Sequence, residues 1–167
     1  MYTIWRNKNI SLKTKLSLYN SNVISIVLYG SECWPMTVVN TKRIDGFDSK
    51  ALRRIMNINW QDNVSNTRLR EMTNQVELST RIKRRRLQWF GHVCRIETSK
   101  IQRAVLLEDQ EVVKRTKGRP KETWYQTLKK DFKQFQMSES DAIAAAMDRD
   151  RWRSLVAQCA KGVVGKT

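Results

Sequence analysis

Residues 78–100, "LSTRIKRRRLQWFGHVCRIETSK", alternate between groups of apolar and basic side chains. At about 100° per residue, its apolar and basic side chains separate onto two arcs of a helix. The apolar arc contains Ile82, Leu87, Trp89, Phe90, Val93 and Cys94. The basic arc contains Arg81, Arg84, Arg85, Gln88, His92 and Arg95. The pattern predicts a helix from about Glu77 to Ile96 whose apolar arc faces a core, and it assigns Trp89 and His92 to different sites.

Helical spacing also precedes this stretch. Ser11 can cap a helix that runs to Trp34 and stops at Pro35. The predicted inner face of that helix contains Leu12, Leu16, Tyr19, Val23, Ile26, Val27, Gly30 and Trp34. The alternative is a buried strand at "VISIVLY", residues 23–29, because a short apolar run does not determine its own secondary structure. The periodicity on either side favours the helix.

A second helix is predicted from about Val38 to Ile58, followed by a short helix that Ser65 can cap. The inner face of the second helix contains Ile44, Phe47, Ala51, Leu52, Ile55 and Ile58. Its opposite side carries a basic stripe of Arg43, Lys50 and Arg54.

The C-terminal third begins with a loop, "KRTKGRPKETW", residues 114–124, marked by its glycine, proline and charges. A helix follows, with Pro120 suited to its first turn. Ser138 and Asp141 have the spacing of a capping box for a last helical region, Glu139 to Ala160, with a break near "MDRDRW". These patterns predict an all-α bundle of about six to seven helices, divisible into two small sub-bundles joined by the basic loop. The expected division is 1–98 and 99–167.

Charge points to a polyanionic partner. The chain has 167 residues, and its 32 Lys and Arg against 16 Asp and Glu give a net charge of +16. A positive potential of this size attracts nucleic acid first. A membrane partner is not expected, since the longest apolar run is far shorter than the roughly 20 residues that span a bilayer. No signal-peptide core is present, and three scattered cysteines suit a reducing compartment, so the expected location is the nucleus or cytoplasm, without secretion.

The basic arc of residues 81–95 has two interpretations. A solvated helix face is the ordinary one. However, Arg81, Arg84, Arg85 and Arg95 have no acidic residue three or four positions later in the helix. Phosphate oxygens would balance these charges, because arginine binds them through paired hydrogen bonds. The arc and the stripe on the second helix are therefore predicted to bind nucleic acid.

The loop around Gly118 is a second candidate contact. Its "KGRPK", residues 117–121, resembles the core of an AT-hook, in which Gly-Arg-Pro lies in a narrow minor groove. The candidate contacts are Lys117, Arg119 and Lys121. A plain basic loop leading into a helix explains the same residues equally well.

The common catalytic patterns are missing. The sequence contains no GxSxG, P-loop, GxGxxG or HExxH motif, and no cysteine and histidine spacing suited to zinc. We therefore expect no catalytic residues, metal site, cofactor or small-molecule substrate in this chain by itself.

Four stretches, in order, carry a resemblance to a known family. They are "IWRNKNISLKTKLSLYNSNVISIVLYGSECW", "FDSKALRRIMNINWQDNVSNTRLRE", "IKRRRLQWFGHVCRI" and "KGRPKETWYQTLKKDF" with the later "DRDRWRSLV". Together they resemble the C-terminal part of the endonuclease-reverse transcriptases of non-LTR (LINE-type) retrotransposons. The resemblance covers nearly the whole chain.

The resemblance implies a helical thumb up to about Asn59 and a helical C-terminal region after it. In that family the thumb grips the template-primer duplex, and the C-terminal region is implicated in holding template RNA and target DNA. The implied partners are RNA, RNA/DNA hybrid or DNA, and an intact reverse transcriptase acting in trans. The family's palm aspartates, which hold two Mg²⁺ ions, have no counterpart here, so Mg²⁺ is expected only with an intact polymerase domain.

Two rival hypotheses remain open. One is a helix-turn-helix regulator in which the short helix near Thr67 to Met72 precedes a reading helix in a major groove. It would prefer one duplex sequence. The other is an inert, decaying retrotransposon remnant whose basic surface binds polyanions indiscriminately.

Overall fold

The structure, a computed structural model, describes residues 2–96 and 122–158. All regular secondary structure in these ranges is helical, which confirms the predicted all-α class and excludes the alternative strand at residues 23–29. The helices are α1 Tyr2–Arg6, α2 Leu12–Leu18, α3 Ser25–Leu28, α4 Val38–Met56, α5 Asn66–Thr73, α6 Leu78–Cys94, α7 Trp124–Gln134, α8 Glu139–Met147 and α9 Arg149–Gln158. A π-helical segment, Tyr19–Ile24, joins α2 to α3.

The chain forms two compact units. Among the described residues, the first contains those up to Tyr29 together with Val38–Arg81, and the second contains Gly30–Thr37 together with residues 82–96 and 122–158. Helix α6 therefore contributes its first turn to the first unit and the rest of its length to the second. The boundary expected between residues 98 and 99 lies outside the described residues.

The helix that was predicted to begin after Ser11 and to run to Trp34 differs from the structure in register and length. Ser11 is its N-cap, as predicted, and its side chain accepts a hydrogen bond from the Thr14 amide. However, the π-helical segment rotates the following residues, since it spaces its hydrogen bonds five residues apart. As a result Ile24 is buried, whereas Ile26, predicted to face inward, is 74% exposed. The helix ends at Leu28 because Gly30 adopts a left-handed conformation, with φ of 65°.

Helix α4 packs against α1, α2 and α5 in the first unit. Its predicted inner face is correct for Leu52 and Ile55, which are buried, and wrong for Phe47, which is 46% exposed. Asp48 is buried in its place. The Tyr19 hydroxyl donates to Asp48 over 2.7 Å, and Arg70 forms an ion pair with the same carboxylate. Burial and the bond to Asp48 raise the pKa of Tyr19 above its ordinary value, so Tyr19 remains a donor.

The core of the second unit is aromatic. Phe90 on α6 contacts both Phe132 and Trp152, with ring centroids 5.0 Å and 5.5 Å away. The Trp152 indole nitrogen donates to the Leu87 carbonyl over 2.8 Å. A Cβ placed on Gly91 would overlap the Trp152 ring, so glycine is required for this close approach. This core fixes α6 and determines which of its sides remains exposed.

The helix starts in the second half of the chain follow local capping rules. Ser138 and Asp141 form the predicted capping box of α8, and the predicted break occurs at Asp148, between α8 and α9. Helix α7 begins later than predicted. Its N-cap is Thr123, in a capping box with Gln126, and Pro120, which was expected in the first turn, lies outside the described residues. Farther upstream, Ser65 caps α5 as predicted, by accepting from the Arg68 amide.

Candidate nucleic-acid interface on helix α6

Helix α6 has one buried and one exposed side. Its buried side includes Leu78, Ile82, Leu87, Phe90, Val93 and Cys94, which are at most 1% exposed, and Arg86 at 3%. Its exposed residues include Arg84, Arg85, Gln88 and His92. The predicted separation into two arcs is confirmed for these residues. The exposed arc is called the basic face below, and it consists of Arg84, Arg85, Gln88 and His92.

Arg81 is not part of this exposed surface. It is half-buried, and its Nη1 donates to the Asn20 side-chain oxygen over 2.9 Å, while Nη2 donates to Gln75. Burial lowers the pKa of its guanidinium, and the charges of Asp48 and Tyr19 oppose that shift. Arg81 thus links the π-helical segment to the connection before α6, which is a structural role within the first unit.

Arg95 is also engaged. Its Nη1 donates to the carbonyl of Ala146, near the C-terminal end of α8. The last carbonyls of a helix lack partners within the helix, and a cation there is favourable. The prediction that Arg81 and Arg95 form an unpaired column with the others is therefore wrong. Both guanidinium groups donate hydrogen bonds to acceptors outside α6.

Arg85 has an acidic neighbour from another segment. Its Nε lies 3.5 Å from Glu32 Oε2. The backbone oxygen of Glu32 accepts a hydrogen bond of 2.6 Å from the Trp124 indole, which fixes the position of this residue. Helical spacing within α6 does not predict this pair, because Glu32 belongs to a distant segment that the tertiary structure brings to α6.

Arg84 remains exposed and unpaired. It forms no ion pair or hydrogen bond between side chains within the described ranges. On α4, Arg43, Lys50 and Arg54 are exposed as well, as the stripe predicts. The candidate loop residues Lys117, Arg119 and Lys121 lie outside the described residues.

A pocket opens beside the basic face. Its volume is about 240 Å³, and it is lined by Glu32, Arg85, Gln88, Trp89 and His92. The Trp89 and His92 rings lie 5.4 Å apart between centroids, at 39°. The prediction that these two rings occupy different sites is therefore wrong. They are three residues apart on a helix, which makes them neighbours even though Trp89 lies at the edge of the apolar arc.

Two buried polar atoms in this pocket have no hydrogen-bond partner among the residues that the structure describes. They are Glu32 Oε2, an acceptor, and Trp89 Nε1, a donor. A buried polar atom without a partner costs about 1 to 3 kcal/mol.

The structure reveals a buried ion pair that the sequence interpretation missed. Arg86 donates to Asp131 Oδ2 from Nε over 2.8 Å and from Nη2 over 2.6 Å, and the Lys83 ammonium lies 3.8 Å from the same carboxylate. Burial raises the pKa of Asp131, and the charge of Arg86 opposes that shift. A sequence signal exists, since Arg86 lies four residues from both Ile82 and Phe90 and therefore on the apolar arc.

Metal chemistry and membrane insertion find no support in the described ranges. No three carboxylate, histidine or cysteine side chains converge as metal ligands there, and no helix there has the length and apolar character to cross a bilayer. Comparison of the chain with family models, curated proteins and solved structures finds no match.

Proposed function

We propose that this chain binds nucleic acid through the basic face of α6. The observation that carries the proposal is Arg84, an exposed arginine without a partner among the described residues, next to Arg85 on a helix whose opposite side is buried. The buried side holds the helix in place and leaves Arg84 exposed to an anion from outside the protein. The net charge of +16 favours a polyanion. Phosphate groups along an RNA or DNA strand meet both requirements.

We further propose that the chain is a fragment of a LINE-type retrotransposon reverse transcriptase that binds template RNA, RNA/DNA hybrid or target DNA. The four ordered sequence stretches support this origin, and a helical architecture is what the thumb and C-terminal region of that family require. We propose binding alone, because the polymerase aspartates of the family have no counterpart among these 167 residues.

The test is fluorescence anisotropy with a labelled RNA/DNA hybrid across a salt series. Each arginine that contacts a phosphate contributes about 0.7 to 0.9 to the slope of log K against log salt. We expect Arg84→Gln to weaken binding and to reduce that slope by about this amount. The matched control is Arg153→Gln on α9, which removes one exposed positive charge from another helix.

Unchanged affinity and slope for Arg84→Gln would show that the basic face is only a solvated side of α6. An equal effect of Arg153→Gln would show that net charge matters and position does not, as for an inert basic remnant. Both outcomes contradict the proposal, and the second favours the remnant hypothesis.

One observation favours the helix-turn-helix alternative. Helix α5 ends at Thr73, Asn74 turns the chain with φ of 50°, and α6 begins at Leu78. That connection is short, as the motif requires. However, Arg81 in the first turn of α6 is bound to Asn20 and Gln75, so it is not available to read bases. Selection from random duplexes would decide the matter, since a regulator yields one sequence motif and a phosphate-binding surface yields none.

A further inference from the structure

A second pocket lies within the first unit, between α1, the π-helical segment and α4. Its volume is about 140 Å³, and it is lined by Trp5, Tyr19, Val23, Phe47, Ala51, Arg54 and Ile55. An engineered cavity of about 150 Å³ in another protein holds one benzene ring, whereas sites for drug-sized molecules span about 300 to 1,000 Å³. The pocket therefore has room for one apolar side chain, and the rest of its partner would lie outside.

The lining of this pocket is mostly apolar and can be reached from solvent. Phe47 is 46% exposed and Arg54 is exposed, whereas Trp5 in the wall is buried. The Tyr19 hydroxyl already donates to Asp48. A nucleic-acid base has several polar atoms, and their burial against an apolar lining is unfavourable. A hydrocarbon side chain has no such atoms, so it fits this pocket better than a base does.

Cations flank the exposed part of the pocket. Arg43 lies four residues before Phe47 and Lys50 three residues after it, so both are its neighbours on the surface of α4. Both are exposed, and neither forms an ion pair or a side-chain hydrogen bond with another described residue. Arg54, four residues beyond Lys50, adds a third exposed cation and lines the pocket itself.

The two carboxylates of α4 do not balance these cations, because both are engaged elsewhere. Asp48 is 4% exposed and forms an ion pair with Arg70. Asp45 accepts a hydrogen bond of 2.9 Å from the Ser79 amide. Among the described residues of the first unit, α4 therefore presents an apolar pocket with a positive rim. Its complement is an apolar group with negative charges beside it.

We propose that this pocket docks an acidic peptide segment of another protein, with one apolar side chain in the pocket and carboxylates beside Arg43 and Lys50. A second copy of this chain is a poor occupant, because two such faces on chains of net charge +16 repel each other. A phosphate backbone would use the cations and leave the apolar pocket and Phe47 uncovered. The inference is independent of the proposed nucleic-acid binding, which uses α6.

The probe is a labelled glutamate-rich peptide with a single central phenylalanine, and its match has serine at that position. Fluorescence anisotropy measures the affinity of the full chain for both peptides across a salt series. We expect the phenylalanine peptide to bind about 10-fold or more tightly than the serine peptide, as burial of an aromatic side chain requires. Both affinities should fall as salt screens the charges, and the ratio between them should change little, because apolar burial is not screened.

Ala51→Leu fills the pocket and leaves every charge in place. It should reduce the preference for phenylalanine over serine to within about twofold, because the apolar side chain no longer has a place to be buried. The matched control, Ala157→Leu, changes an exposed position of α9 and should leave the preference intact. Circular dichroism checks that the variants remain folded. Phe47→Ser, at an exposed position, should lower the preference without overpacking the pocket.

Lys50→Gln tests the positive rim. It should weaken the binding of both peptides by roughly 2- to 5-fold at low salt, as loss of one exposed charge pair does. The matched control is Lys133→Gln, which removes one exposed charge from α7 and should leave both affinities nearly unchanged.

Equal affinity for the two peptides, or a preference that both Ala51→Leu and Phe47→Ser leave unchanged, would overturn the docking pocket. Equal losses in Lys50→Gln and Lys133→Gln would show that net charge matters and position does not, which also overturns it. Equal peptide affinities together with a reduced salt slope of RNA/DNA hybrid binding in Lys50→Gln would assign the cations of α4 to nucleic acid. None of these outcomes affects the proposed role of α6, which Arg84→Gln tests separately.

Discussion

The two sides of helix α6 use arginine in opposite ways. Arg86 is 3% exposed and holds the buried carboxylate of Asp131 through two hydrogen bonds. Arg84, two residues earlier, is exposed and has no partner within the described ranges. Both belong to the same run of basic residues, "KRRR". The role of an arginine on α6 thus depends on what the tertiary structure places opposite it.

The two roles have different energetic consequences. A buried charge that loses its partner is strongly destabilising, because its desolvation is no longer compensated. An exposed charge contributes little to stability, because water and salt screen it. Substitutions on the buried side of α6 should therefore lower the free energy of unfolding, and substitutions on the exposed side should lower the affinity for nucleic acid.

The largest effect is expected from Asp131→Asn. This change keeps the shape of the side chain and removes the charge opposite Arg86. The free energy of unfolding, measured by urea denaturation, should fall by about 3 to 5 kcal/mol. The matched control, Glu71→Gln, breaks an exposed pair and should cost about 1 kcal/mol or less. Equal losses in the two variants would contradict the structural role of the buried pair.

A smaller loss is expected from Gly91→Ala, because the new methyl group would overlap the Trp152 ring. Overpacking of this kind costs about 1 to 3 kcal/mol. The matched control is Gly46→Ala on α4, where no neighbouring atom lies within 4 Å of the new Cβ. That control should raise the free energy of unfolding by up to about 1 kcal/mol, as alanine does in an exposed helix. Stabilisation by both changes would place Trp152 away from Gly91.

Arg81→Gln is expected to have an intermediate effect, with a loss of about 1 to 2 kcal/mol. The change removes hydrogen bonds from a charged, half-buried donor to Asn20 and Gln75. The salt slope of hybrid binding should remain unchanged, because Arg81 is not part of the basic face. A reduced slope with unchanged stability would reverse the assignment and make Arg81 a phosphate contact.

The smallest effect on stability is expected from Arg84→Gln. Its free energy of unfolding should stay within about 0.5 kcal/mol of the wild-type value, as for exposed positions in general. The same variant should lose affinity for the RNA/DNA hybrid while its free energy of unfolding stays nearly unchanged. A loss of stability comparable to that of Arg81→Gln would indicate that Arg84 has a structural partner.

The correct sequence predictions share one property, which is that they depend on neighbouring residues. Ser11, Ser65 and the Ser138 and Asp141 pair cap helices as predicted, because capping involves residues three positions apart. The two arcs of α6 also follow from its own periodicity. The prediction for residues 12–34 was wrong at several inward-facing positions because the π-helical segment shifts the helical periodicity.

The candidate site was only partly predictable. Arg85, Gln88 and His92 were expected on the basic arc and do line the pocket. Glu32 and Trp89 complete that pocket and were not assigned to it. Glu32 comes from a distant segment, and Trp89 lies at the edge between the two arcs, where a helical wheel cannot decide on which side the core ends.

The sequence by itself determined the all-α class, most of the helix starts and the positive charge, since each of these depends on composition or on residues within one turn of each other. Only the tertiary structure decided which arginines of α6 are available. Asn20, Ala146 and Asp131 approach α6 from other segments and bind Arg81, Arg95 and Arg86 respectively, whereas Arg85 is 43% exposed beside Glu32. The physical reason is that helical periodicity specifies only the face of the helix on which a side chain lies. Whether that side chain is available to bind a ligand depends on its neighbours in space.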